Sequence, residues 1–102
     1  MSLAESARRS MADSPSVADT LGWIYFQKGV YGSAISMLQE ALKLQSKQRA
    51  PDNPNIHYHL GMAYLKAEKP ALARQQLELV LKINPNYSEA AEVRKQLDSL
   101  KS

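Results

Sequence analysis

The chain has 102 residues, 44% of them apolar, with no cysteine and a formal net charge of +3. That length holds one domain with a small core, and the lack of cysteine excludes disulfides and thiol chemistry. The basic residues are scattered, so no nucleic-acid footprint stands out, and no apolar run approaches the roughly 20 residues of a membrane-spanning helix.

In chain order, residues 3–12 have a helical composition, and the opening Met1-Ser2-Leu3-Ala4-Glu5 lacks a signal-peptide pattern. It reads as helix interior cut from a longer protein, so a soluble chain of either cytoplasm or periplasm is expected. Ser14-Pro15 signals a helix start, because serine caps and proline at the first helical position gives up no needed hydrogen bond. The spacing predicts a helix over 15–28 that stops at Gly29. Its partner begins near Tyr31 and carries Ala34, Ile35, Leu38, Ala41 and Leu42 at helical intervals. This partner is expected to run on by about a turn and end before Pro51, because the residue ahead of a proline disfavours helix. Asn53-Pro54 repeats the start signal, helices over 54–67 and 70–83 follow, and Asn84-Pro85-Asn86 is a stop. The last stretch, 88–100, puts Ala90, Val93, Leu97 and Leu100 on one stripe and Arg94, Lys95 and Asp98 elsewhere. One apolar stripe with a polar outer face suits the end of a helical array.

Two copies of one short word organise these elements. Leu21-Gly22-Trp23-Ile24-Tyr25 and Leu60-Gly61-Met62-Ala63-Tyr64 are related by a shift of 39 residues (61 − 22). At the same shift Pro15 falls on Pro54, Ala34 on Ala73, Leu38 on Leu77 and Leu42 on Leu81. A fixed period of this order marks stacked repeats. A glycine inside a helix costs roughly 0.5–1 kcal/mol relative to Ala, so Gly22 and Gly61, recurring in register, imply a close helix approach.

The pattern resembles the tetratricopeptide repeat (TPR). The first copy carries Leu21, Gly22, Tyr25, Gly29, Tyr31, Ala34, Leu38 and Ala41; the second carries Leu60, Gly61, Tyr64, Ala73, Leu77 and Pro85. Val80 stands where the family prefers Ala, Ala18 and His57 where it has an aromatic, and Ser46 where it closes on proline. The period also exceeds the family's roughly 34 residues by about five. The resemblance implies an all-α fold, a right-handed superhelical stack of antiparallel helix pairs. One domain over 1–102 would contain a half-repeat (3–12), repeat one (15–45), an extended connection (46–53), repeat two (54–84) and a capping helix (88–100). Asp19-Thr20-Leu21-Gly22-Trp23 is also similar to the closing repeats of long bacterial TPR proteins of envelope assembly and export. A fold of this kind implies a scaffold, not an activity.

The sequence offers little for catalysis. It has no Gly-rich phosphate loop, no cysteine nucleophile and no carboxylate cluster at helical spacing, so no catalytic residue, cofactor or metal is expected. His57 and His59, two apart on a helix, point about 200° from each other. They therefore cannot share a metal as an i, i+4 pair could, and His57 falls in the buried phase as a packing residue.

Binding is the better prospect. In the first helix Ala18, Leu21, Gly22 and Tyr25 form the stripe expected to pack on the partner helix, while Asp19, Trp23, Phe26 and Gln27 form a second stripe. In the second copy His57, Leu60, Gly61 and Tyr64 face inward, leaving Tyr58, Met62, Leu65 and Lys66. An aromatic surface rimmed by polar groups marks a partner site, and in the TPR family first helices line a concave groove. The resemblance places these eight residues there. The Lys and Asn clamp with which TPR chaperone adaptors hold a carboxylate is absent, since Asp19, Trp23 and His59 occupy its positions. A competing reading has Trp23 or Phe26 filling the joint between neighbouring repeats. The expected function is non-catalytic binding of a partner protein or peptide; the alternative is a homo-oligomerising element that pairs through an apolar face at its N-terminal end. Nucleic-acid binding would need a basic stripe, and Lys66 is the one basic residue on it.

Overall fold

The computed structural model describes residues 14–101, and the helix expected over 3–12 lies outside the described residues. Among the described residues there are five helices and no strand: α1 (Pro15–Gln27), α2 (Tyr31–Lys47), α3 (Pro54–Lys66), α4 (Pro70–Ile83) and α5 (Ala90–Lys101). They fall into two compact units, divided between Pro51 and Asp52.

In the first unit α1 and α2 pack as a helix hairpin. The Ser14 side chain accepts a hydrogen bond from the Val17 N–H at 3.3 Å, and Pro15 occupies the first turn. The far end closes through Gly29 at φ 81°, with the Val30 N–H donating to the Tyr25 carbonyl at 2.9 Å. A left-handed residue returns the chain to the last open carbonyls, and glycine does so without a Cβ clash. Against this helix α2 buries Ala34, Leu38 and Ala41 completely. The close approach is at Gly22, where a Cβ would lie 2.6 Å from the Leu38 Cγ and 3.3 Å from the Ala34 carbonyl oxygen. One expectation needs correcting here. Of the stripe assigned to the α1–α2 contact, only Ala18 and Gly22 are buried, whereas Leu21 and Tyr25 are exposed. Leu21 and Tyr25 sit on the flank of α1, turned from the line along which Gly22 meets Leu38.

The second unit repeats the hairpin and adds a helix. Asn53 Oδ1 accepts from the Asn55 N–H at 2.9 Å, and Pro54 opens α3. A Cβ on Gly61 would meet the Leu77 Cδ2 at 2.7 Å, so the glycine–leucine contact recurs at the same shift as the sequence word. Glu68, at φ 61°, stands where the first copy has Gly29, and the Lys69 N–H donates to the Tyr64 carbonyl at 2.9 Å. After α4 the chain turns at Asn84, whose side chain accepts from the Asn86 N–H at 3.0 Å. It then lays α5 against α4. Leu77, Val80, Tyr87, Ala90 and Val93 form the buried cluster of this joint, with Leu97 and Leu100 packed at its edge. Arg74 and Arg94 clip the joint from outside by donating to the carbonyls of Leu100 and Pro85, at 3.0 and 3.1 Å.

Candidate partner-binding surface

Three faces of α1 are apolar, and its only charged residue is Asp19. One face meets α2. A second, about a quarter-turn round, carries the second stripe. There Trp23 and Phe26 stack with ring centroids 4.5 Å apart and planes 6° from parallel. Tyr31, from the first turn of α2, meets Phe26 edge-on at 5.6 Å. Offset and edge-on aromatic pairs of this kind contribute roughly 0.5–1.5 kcal/mol beyond their area, so the three rings hold one another in a fixed ladder. Trp23, Phe26 and Tyr31 are all half-buried, as is Asp19, while Gln27 is exposed at the ladder's polar edge. Tyr31 was not among the expected site residues. Periodicity within one helix cannot register a ring delivered across a turn from the next.

The corresponding stripe on α3 is used differently. Tyr58 and Leu65 pack against the buried cluster of Leu77, Val80, Tyr87, Ala90 and Val93. The Tyr58 ring lies 5.7 Å from that of Tyr87 and 5.8 Å from that of His59. Burial pushes the Tyr58 phenol above its ordinary value of 10.0, and the carboxylates of Glu89 and Glu92 push the same way. Met62 is half-buried and Lys66 exposed. Thus the structure brings Trp23 and Phe26 together on α1, while Tyr58 and Leu65 serve the joint with α5 and leave Met62 and Lys66 as the outward members of the second set.

His57 is buried between two side chains. Its Nε2 lies 2.8 Å from Asp52 Oδ1 and its Nδ1 2.6 Å from the side-chain amide of Gln76. A carboxylate only accepts, so the Nε2–H donates to Asp52. A neutral ring then accepts the Gln76 amide N–H₂ at Nδ1, whereas an imidazolium donates to the amide oxygen. Either way His57 ties the lead-in of α3 to α4. Among the described residues no group of three or more His, Cys, Asp or Glu could hold a metal ion, and no helix is long and apolar enough to cross a membrane.

These helix pairs, with the glycine–leucine contact recurring in register, define a helical-repeat protein. The family model for the tetratricopeptide repeat matches residues 25–97, and the chain belongs to that family. Tetratricopeptide repeats are in general non-catalytic modules that mediate protein–protein interactions. No curated protein matches the chain.

Proposed function

We propose that this chain is a non-catalytic recognition module that takes a partner protein segment on the α1 ladder. Trp23 and Phe26 supply the contact area and Asp19 and Gln27 the polar edge. In the second unit, taken by itself, Met62 and Lys66 are the outward members of the corresponding stripe on α3, with Tyr58 and Leu65 packed behind them. The observation that carries the reading is the parallel Trp23–Phe26 stack, half-buried and about a quarter-turn from the Gly22 face that packs on Leu38 of α2. Rigid aromatics add large contact area at low entropic cost, which is why tryptophan and tyrosine dominate interface hot spots.

The test uses peptides selected from a random display library against the full chain. Trp23→Ala should weaken the selected peptides by at least about 2 kcal/mol, the usual hot-spot threshold, with a smaller change in the chain's own stability. A variant that instead loses roughly 3–5 kcal/mol of folding stability, the cost of truncating a core aromatic, would make Trp23 a packing residue. A second reading, self-assembly, draws on the exposed Leu21, Ile24, Tyr25 and Val30. Light scattering over a concentration series separates it from capture of a different partner.

A further inference from the structure

The stacking of the ladder fixes which way its tryptophan looks. Phe26 follows Trp23 by three residues, a rise of about 4.5 Å along a helix, and the two ring centroids are 4.5 Å apart with planes 6° from parallel. The rings therefore pile along the α1 axis, with Phe26 on the C-terminal face of the indole. The opposite face looks toward the helix N-terminus. Asp19, four residues before Trp23, lies on that side, one turn away at a rise of about 6 Å. It is the one charged side chain of α1, and it is half-buried, as Trp23 is. The face of an aromatic ring is the negative side of its quadrupole, so indole and carboxylate present the same sign to a group that enters between them. Taken by itself, the second unit makes the same combination at the equivalent position. Tyr58 stands 39 residues after Asp19 (58 − 19), and the carboxylates of Glu89 and Glu92 act on its phenol.

We infer that the partner's anchor on the ladder is an arginine side chain, its guanidinium stacked on the N-terminal face of Trp23 and donating to the Asp19 carboxylate. This deepens the reading of the ladder as a partner site and rests on it. A segment broad enough to cover Trp23 and Phe26 also takes water away from Asp19. Desolvating a carboxylate without a cation or donor in return is strongly unfavourable, so a wholly apolar segment binds poorly. An acidic segment is repelled by both groups. A carboxylate offers about four acceptor positions, so Asp19 takes a guanidinium in addition to the contacts it makes within the chain. Lysine satisfies the charge but not the shape. A guanidinium is flat, stacks on an aromatic face and forks onto both carboxylate oxygens, whereas an ammonium is compact and strongly hydrated. The net charge of +3 does not oppose this, because the single charge of α1 is negative.

The test uses the full chain and two display libraries of random peptides, one with arginine fixed at the central position and one with glutamate there. The arginine library should yield binders that Trp23→Ala weakens, and the glutamate library binders at least about tenfold weaker. Replacing the fixed arginine of the tightest peptide by citrulline keeps the flat shape and removes the charge. It should weaken binding by at least about tenfold, and lysine at that position should recover only part of the loss. On Asp19→Asn the arginine and citrulline peptides should bind within about twofold of each other, because the two changes remove one interaction. Trp23-dependent binders that lose as much to citrulline on Asp19→Asn as on wild type overturn the arginine assignment and leave the ladder as a partner site. A citrulline peptide as tight as its arginine parent on wild type does the same, and that comparison needs no variant of the chain to fold. Binders that Trp23→Ala leaves unchanged, or no binders from either library, overturn the ladder reading and the arginine assignment with it.

Discussion

At Gly22 and Gly61 the smallest side chain determines how near two helices come. The space a methyl group would need is occupied by the branch of a fully buried leucine, Leu38 in one case and Leu77 in the other. Neither leucine can swing outward without emptying its own site. Gly22→Ala and Gly61→Ala should each cost about 1–3 kcal/mol, the usual range for overpacking a core, and a thermal melt unchanged in both would refute the close-approach account. The helix ends give the opposite sign. Glu68 holds φ 61° at the position where Gly29 holds 81°, and a left-handed conformation costs a residue with a Cβ roughly 1–2 kcal/mol. Glu68→Gly should therefore raise stability, by about 1 kcal/mol once glycine's larger unfolded-state entropy is subtracted. Gly29→Ala should lower it. Denaturant titration of the two variants checks both signs, and a Glu68→Gly chain weaker than wild type would mean the Glu68 side chain stabilises the turn.

Each helix adds a face to what single residues determine, and the faces differ in how visible they are from sequence. Leu77 touches the glycine of α3 and also belongs to the cluster that receives α5. Leu77→Ala should cost about 2–5 kcal/mol, as fully buried leucines do, whereas Leu97→Ala, at the half-buried edge, should cost clearly less. Chemical denaturation of the pair reads the difference. The element starts were legible because Ser14-Pro15 and Asn53-Pro54 are local signals, and the inner faces because Ala34, Leu38, Ala73 and Leu77 recur at helical spacing. What periodicity could not carry is which neighbour covers a given phase. Leu21 and Leu60 have the same register and opposite fates, one exposed and one buried. Tyr58 and Leu65 share a phase with Asp19 and Phe26, yet they lie against the cluster that holds α5, a contact fixed only after the chain has turned at Asn84. The aromatic ladder was half visible for the same reason: Trp23 and Phe26 share a helix, and Tyr31 reaches them across the Gly29 turn.

For the molecule as a whole, alkaline pH separates association from unfolding. The chain carries a net charge of +3 at pH 7 and reaches neutrality near pH 9.3. Vanishing net charge favours association of folded molecules, so light scattering should pass through a maximum close to that pH without loss of helical signal. Unfolding follows at higher pH and has a different origin. In the folded chain Tyr58 resists ionisation because burial disfavours the phenolate, with Glu89 and Glu92 adding repulsion. In the unfolded chain the same phenol ionises near its ordinary value of 10.0. Above that pH the unfolded state binds fewer protons than the folded one, so stability falls as pH rises; below it, Tyr58 contributes no pH dependence. The loss should thus begin near pH 10 and continue up to the raised folded value. Tyr58→Phe removes the ionisable group and keeps the ring against Tyr87. It should flatten the decline of stability above pH 10 and leave the scattering maximum near pH 9.3 where it was. A variant whose stability falls as steeply as that of wild type would show that the alkaline weakness belongs to some other group.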